Sequence, residues 1–455
     1  CLVIAASCTP DESARSDDTV RVFRGATLID GTGAGPIADA VIVVRGERIE
    51  SVGRAGELAA PEADVDESLH GMWIIPGLID AHVHFSQSGW FDGRPDALDL
   101  RQYHPYEEVQ SRLESFPELF FEAYLCAGVT TVFDVGGYPW SVGLQERGES
   151  DPRAVRVAAT GPLLSTIDFW LNLPDQSQFL FMADSAAVLD AVRSNAELGA
   201  AAIKIWYIVP PDADSTRMQD LVRLAAAETA AHGLPLVIHA TGLWEAKDAL
   251  RAGADVLVHG VFDTEVDEEF LTLAREADVI YTPTIVVTEG YRNVFAQVGT
   301  AGLPYPAGCA DEGTRLLLDS ELPAEWRPPA EMLARYGEFV DTNRRVGIEN
   351  LRRVHDAGIA IALGTDAGNP GTLHGPSIHY EAEVFQEAGL TPMEVLVSGT
   401  RDAALAVGRE ADIGTVEPGK LADFVILRAD PLADARNLRE VVRVVKSGRH
   451  VWPLE

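Results

Sequence analysis

Short apolar runs recur along the middle of this chain, each separated from the next by a longer stretch with helical spacing. Runs near 74–80, 129–135, 155–160, 202–206, 235–239, 255–259, 279–284 and 359–364 predict strands. Between them, Ala186-Ala-Val-Leu-Asp-Ala-Val-Arg-Ser-Asn-Ala-Glu-Leu and Met218-Gln-Asp-Leu-Val-Arg-Leu-Ala-Ala-Ala-Glu-Thr-Ala predict helices. Eight strands alternating with helices predict an α/β fold, a (β/α)8 TIM barrel with insertions. The longest insertion, 286–350, follows the seventh strand and carries Pro304, Pro306, Pro323, Pro328 and Pro329 before a helix around 330–356. A second long loop, 85–106, follows the first strand and carries Trp90 and Phe91. Both belong on the C-terminal face, where such barrels build their sites. Trp90, Phe91, Trp140, Phe169 and Trp170 either wall an apolar pocket or pack these loops.

The two ends of the chain follow a different pattern. Thr19-Val-Arg-Val-Phe, Ala40-Val-Ile-Val-Val-Arg and Arg48-Ile-Glu-Ser-Val-Gly alternate like strands of a small sheet, as do Asp423-Phe-Val-Ile-Leu and Val441-Val-Arg-Val-Val-Lys. Neither group has enough strands to be stable alone. The expectation is one small β-sandwich domain built from both chain termini, 19–73 and 408–455, flanking a barrel domain over 74–407.

Residues 1–18 stand apart. Cys1-Leu-Val-Ile-Ala-Ala-Ser-Cys8 followed by a polar tether resembles the tail of a bacterial lipoprotein signal, with Cys8 as the lipid anchor. That places the protein in the bacterial cell envelope, periplasmic or lipid-anchored, with the cytoplasm as the alternative. No run of 18 apolar residues predicts a spanning helix. A net charge of −34 without a basic stripe argues against nucleic acid as a partner. Cys126 and Cys309 share no spacing motif, so their pairing is open.

Candidate chemistry sits at the ends of the predicted strands. His82 and His84 are two apart, so both imidazoles reach one side of a strand. His239 closes Leu236-Val-Ile-His, and His259 closes Asp255-Val-Leu-Val-His. Asp366 follows the last strand in Ile361-Ala-Leu-Gly-Thr-Asp, where it either caps a helix or binds an ion and accepts a proton. Lys204, inside Ala-Ala-Ile-Lys-Ile-Trp-Tyr, is buried by its neighbours and must be paired, neutral or chemically altered. A neutral amine that captures carbon dioxide becomes a carboxylate able to bridge two cations; pairing with a nearby carboxylate is the plainer reading. Imidazoles and carboxylates suit zinc and its neighbours. Weaker candidates for substrate contact are Tyr207, His374 and Arg292, the last through its carboxylate-matching guanidinium. His379 reads as helix surface, and His104, His232, His355 and His450 as structural or solvated.

The segments Pro76-Gly-Leu-Ile-Asp-Ala-His-Val-His, Ile203-Lys-Ile, His239-Ala, His259-Gly, Gly364-Thr-Asp-Ala-Gly and Gly414-Thr-Val-Glu-Pro-Gly-Lys-Leu-Ala-Asp423 resemble the amidohydrolase superfamily in its binuclear, carboxylated-lysine form. The resemblance implies two divalent metal ions, expected to be Zn2+, with Lys204 carboxylated by CO2 as the bridge. His82, His84 and Asp366 would hold the more buried ion and His239 and His259 the other. Asp366 would also carry the proton, and a metal-bridging hydroxide would attack the substrate carbonyl. Val261-Phe-Asp-Thr-Glu and Tyr281-Thr-Pro-Thr are similar to the prolidase, carboxypeptidase and imidazolonepropionase-like branch. The expected function is therefore metal-dependent cleavage of a C–N amide bond in a small-molecule amide or peptide, a dipeptide or N-acyl amino acid, by a homo-oligomer. Trp206-Tyr207-Ile-Val-Pro-Pro departs from the small residues of prolidase-like members and points to an aryl amide or carbamate instead, and the alternative function is hydrolysis of cyclic amides, aryl amides or carbamates. The reading from another class is a surface lipoprotein that binds ligand or metal without turnover.

Overall fold

The computed structural model describes residues 19–168 and 171–453. The proposed anchor Cys8 and the aromatics Phe169 and Trp170 lie outside them. Among the described residues, seventeen strands fall into three sheets. The first five are β1 (Val20–Leu28), β2 (Ile37–Arg45), β3 (Arg48–Arg54), β4 (Val65–Ser68) and β5 (Trp73–Pro76). The last three are β15 (Phe424–Leu427), β16 (Val441–Lys446) and β17 (Arg449–Trp452). Together these eight make one mixed sheet in the order β17-β16-β15-β5-β1-β2-β3, with β4 on β1. The chain ends thus join through antiparallel pairing of β5 with β15. They form a single sheet that curls back, because Ile49 of β3 donates to Lys420 O, just ahead of β15. Phe23, Ile42, Phe424 and Val445 fill the hollow of that curl.

The central strands are all parallel. One sheet holds β6 (Leu78–Val83), β7 (Val129–Asp134) and β8 (Arg156–Ala159). The other holds β9 (Leu163–Ser165), β10 (Phe179–Phe181), β11 (Ile203–Trp206), β12 (Leu236–His239), β13 (Val256–Val258) and β14 (Ile280–Thr282), in the order β10-β9-β11-β12-β13-β14. Their residues alternate between two cores, as strands covered on both faces require. Ala202, Val237, Val256 and Val258 enter an inner cluster with Ile79, Ala81 and Phe133. Ile203, Ile205, Ile238 and Leu257 pack outward under the helices.

Two expectations are corrected. The run 74–80 is not one strand: β5 belongs to the mixed sheet and β6 to the parallel one. Gly77 sits between them because a Cβ there would lie 2.0 Å from the Thr130 hydroxyl. The run 359–364 forms no regular strand. It is held by an isolated bridge from Ile361 to Tyr281 and by hydrogen bonds from Tyr281 N to Ala360 O, from Ala81 N to Leu363 O and from Asp366 N to His82 O. Gly364 lets this segment pass His82, whose Cβ would be 3.0 Å from any side chain there.

The predicted helices are present. Ser185–Leu198 starts at Asp184, whose carboxylate accepts from Ala187 N, and stops at Gly199 with φ +87. The insertion after β14 contains helices Val287–Phe295, Glu312–Asp319 and Ala330–Asp356. It packs on the loop after β6 through a cluster that includes Trp90, Phe91, Val294, Tyr305 and Leu318. Cys126, ending helix Glu118–Cys126, forms a disulfide with Cys309 of this insertion.

Candidate active site

Strand parity explains which side chains meet. Ala202 and Lys204 share the inner side of β11, and Val237 and His239 that of β12. His259 should follow Leu257 outward. Its φ of +68 turns it instead, and its ring lies 4.3 Å from that of His239 and 4.7 Å from that of His82. Asp366 has φ +62. Non-glycine residues in this region cost on the order of 1–2 kcal/mol, and such strain collects at functional sites.

The geometry brings His82, His84, His259 and Asp366 to one point. His82 Nε2 lies 3.3 Å from His84 Nε2, and Asp366 Oδ1 lies 3.0 Å from His84 Nε2 and 3.3 Å from His82 Nε2. Asp366 Oδ2 is 3.8 Å from His259 Nδ1. Lys204 and His239 open onto the same small cleft of about 70 Å3, with His84, His259 and Asp366. All six predicted ligands therefore share one site. Lys204 is 2% exposed, and its Nζ has no hydrogen-bond partner among the described residues. His82 Nδ1 and Asp366 Oδ1 are likewise buried without one.

The protonation pattern fits a cation. His84 Nδ1 lies 2.7 Å from the carbonyl of Gly136, which only accepts, so the proton is on Nδ1. The Nε2 lone pair then faces the Asp366 carboxylate and His82. Burial pushes His82 down to about 3 and His239 and His259 well below the usual imidazole range, so these rings are neutral near pH 7. Burial also pulls Lys204 down to about 7. Lone pairs converging on one point repel unless a positive charge lies among them, and His82, His259 and Asp366 offer ligand atoms within 4.8 Å of one another.

Neighbouring groups hold the ligands in place. Asp80 accepts from His82 N at 3.3 Å and from Thr365 N and Oγ1 at 3.0 and 2.7 Å, fixing the backbone beside two ligands. The Thr284 hydroxyl lies 2.8 Å from His259 Nδ1. Glu381, fully buried and pushed by that burial up to about 8, accepts from Ile285 N and Val286 N and so fixes the loop that carries Thr284. Such partners would orient the rings toward a bound cation.

The expected substrate contacts fall elsewhere. Tyr207 is one residue past the inward Trp206, so parity sends it outward, and its hydroxyl donates to Asp248 at 2.8 Å. His374 is locked between the Tyr124 hydroxyl and Gln87 O, both at 2.8 Å, and stacks on Phe120. Arg292 pairs with Asp341 and Glu289. His379 is no surface residue: it is 6% exposed and faces the core from helix Ser377–Glu387. Trp90 and Phe91 pack the long loops, and Trp140 packs against the main core. What lines the cleft instead is the apolar set Leu163, Phe179 and Trp206 and the polar set Gln87, Arg94 and Asn369. Phe179 and Trp206 stack with centroids 5.3 Å apart.

Known proteins resemble this chain over most of its length. It is 26% identical to an imidazolonepropionase of Cutibacterium acnes over 437 residues, covering 91% of each chain. It is 25% identical to an ochratoxinase of Aspergillus niger over 463 residues, 95% of this chain and 85% of that one. A solved Xaa-Pro dipeptidase with bound methionine superposes with a TM-score of 0.71 at 23% identity, over 95% of this chain and 99% of that one. Its likeness supports a TIM-barrel-like α/β fold. Residues 73–451 match the Amidohydrolase family, whose members depend on metal. The chain belongs to that family and is a metal-dependent hydrolase of amide and other C–N bonds.

Proposed function

We propose that this enzyme hydrolyses the amide bond of a dipeptide or N-acyl amino acid, using a pair of Zn2+ ions and a carboxylated Lys204. The observation that carries this reading is the buried, partnerless Lys204 Nζ among neutral imidazoles. A neutral amine attacks carbon dioxide, loses a proton and becomes a carbamate, supplying the anionic bridge that an ammonium cannot. His82, His84 and Asp366 would hold one ion, His239 and His259 the other, and the carbamate would touch both. Bound divalent ions polarise a carbonyl and make water more acidic. Asp366 then takes the proton from the attacking water and delivers it to the leaving nitrogen, so that a carboxylate and an amine depart. The cleft orients the substrate between its apolar and its polar wall.

The two parallel sheets and the segment 359–367 are read as one closed (β/α)8 barrel over 74–407, with the curled sheet of 19–73 and 408–455 as its companion domain. The relatives named above differ in what their names say they act on, so the panel that tests the substrate must be broad. Zinc-reconstituted protein is incubated with dipeptides, N-acyl amino acids and aryl amides, with metal content measured in parallel. Turnover of the first two, abolished by a chelator and restored by zinc, is the expected result. Zinc bound at fewer than two ions per chain, or turnover confined to aryl amides, overturns the reading.

One observation favours a second substrate class. The stacked Phe179–Trp206 pair lies beside His239, whose ring is 5.5 Å from that of Trp206. A planar apolar group fits against such a wall. Preferential turnover of aryl amides or carbamates, lost in Trp206→Ala, identifies that class.

Export to the cell envelope is supported by the Cys126–Cys309 disulfide, which persists in oxidising compartments. Among the described residues no helix is long and apolar enough to cross a membrane.

A further inference from the structure

Asp366 is held by its backbone as well as by its carboxylate. Its N–H donates to His82 O at 2.8 Å. Its C=O accepts from Asn369 twice, from the backbone N–H at 3.3 Å and from the side-chain Nδ2 at 3.1 Å. Asn369 is 3% exposed and lines the cleft, yet its amide oxygen is used twice by protein donors. The Tyr291 hydroxyl donates to that oxygen at 2.8 Å, and Arg94 Nη1 donates to it as well. Arg94 is itself fixed by Asp96, at 2.9 Å from Nε and 2.6 Å from Nη2, and its guanidinium lies over the Tyr291 ring at 5.9 Å.

These contacts tie three separate segments to the backbone carbonyl of Asp366. Arg94 comes from the loop after β6, Tyr291 from helix Val287–Phe295 of the insertion, and Asn369 from the turn after Asp366. Asn369 O also accepts from Thr372 N at 2.8 Å, which closes that turn. The left-handed backbone at Asp366 is strained and needs such over-determination to persist.

We propose that Asn369 is a positioning residue for Asp366: by bonding the Asp366 carbonyl it fixes the left-handed backbone from which the carboxylate projects, and Arg94 and Tyr291 fix Asn369. The inference rests on the reading of Asp366 as proton carrier. Asn369 does not touch the reacting atoms in this scheme. It sets the angle at which Asp366 meets the attacking water and the leaving nitrogen, where small displacements are expensive.

The test compares Asn369→Ala, Asn369→Asp and Tyr291→Phe with the wild type. Zinc content, melting temperature and kinetics are measured on whichever substrate of the amide panel the wild type turns over best. Asn369→Ala is expected to lower kcat about 30- to 100-fold with KM within about threefold, with zinc content unchanged. Asn369→Asp keeps the acceptor for Arg94 and Tyr291 but loses the Nδ2 donor, so it should fall as far as the alanine variant. Tyr291→Phe removes one of two donors to Asn369 and should lower kcat about three- to tenfold. A crystal structure of Asn369→Ala should show the Asp366 carbonyl turned away from its present direction and the carboxylate displaced with it. Wild-type kcat in Asn369→Ala, a rise in KM alone, or zinc lost in step with activity each overturns the proposal. If the wild type hydrolyses nothing in the panel, the amide reading fails on its own. Zinc content and the Asp366 backbone in Asn369→Ala then still decide this inference, an unmoved Asp366 overturning it.

Discussion

Lys204 and Lys446 are both almost fully buried, at 2% and 1% exposure, yet they stand in opposite surroundings. Lys446 ends β16 and donates to Gly148 O at 2.6 Å and Asp151 O at 3.2 Å. Beside it, Arg156 of β8 meets Asp423 at 2.7 Å and the Ser447 hydroxyl at 2.8 Å, while Ser447 N donates to Asp423 at 2.7 Å. Lys446, Arg156 and Asp423, at that junction between parallel strand and mixed sheet, each find partners inside the protein. Lys204 has none among the described residues. The same desolvation is met in one place by carbonyls and left open in the other, and an open demand of that kind marks a place for something that comes from outside. Burial alone therefore does not separate the two lysines; the absence of a partner among the described residues does.

The comparison can be broken most severely at the proton carrier. Asp366→Asn should keep zinc and lower kcat by about three to four orders of magnitude, read from steady-state kinetics beside elemental analysis. Near-normal turnover would remove Asp366 from that role. Lys204→Ala should lose at least one ion per chain, and short carboxylates such as acetate or propionate should restore part of it. Full zinc content in the variant would reduce Lys204 to an ordinary buried residue. Lys446→Met should do the reverse. Stability measured by denaturant should fall by about 1–3 kcal/mol as two buried carbonyls lose their donor, with kcat and zinc content unchanged. The smallest effect concerns pH. Burial pulls the Lys204 ammonium down to about 7, so the reactive neutral amine predominates above that pH and is scarce below it. Reloading of metal-stripped protein with zinc at fixed dissolved CO2 should then be about tenfold faster at pH 8 than at pH 6. A flat profile would separate reloading from that amine.

The six convergent residues were legible because each ends an apolar run, and parallel strands align their ends. Lys204 and His239 also keep the parity of their strands, which is a local property. Parity could equally have excluded Tyr207, since Trp206 already takes the inward direction. His259 and Asp366 were found by position alone. Their left-handed backbone, which does the turning, leaves no trace in an apolar pattern. Arg94 and Asn369 were missed because they come from loops, and Tyr291 because it sits on a helix of the insertion; the Arg94–Asn369 contact spans 275 residues. His374 and His379 show the opposite failure: a histidine among glycines or on a helix reads as polar, whereas here each fills a buried slot. The expected strand 359–364 failed because Gly364 and Asp366 interrupt its ladder, although the apolar run is real.

The Cys126–Cys309 bond closes a loop of 183 residues. That loop contains Lys204, His239 and His259, while His82, His84 and Asp366 lie outside it. The staple thus divides the six converging residues into three inside the ring and three outside. In an unfolded chain it holds the two groups closer than an open polymer would, an advantage that grows slowly with ring size. A host that keeps its thiols reduced forgoes this tether, so secretion into an oxidising compartment is the sensible route to material with a full complement of metal.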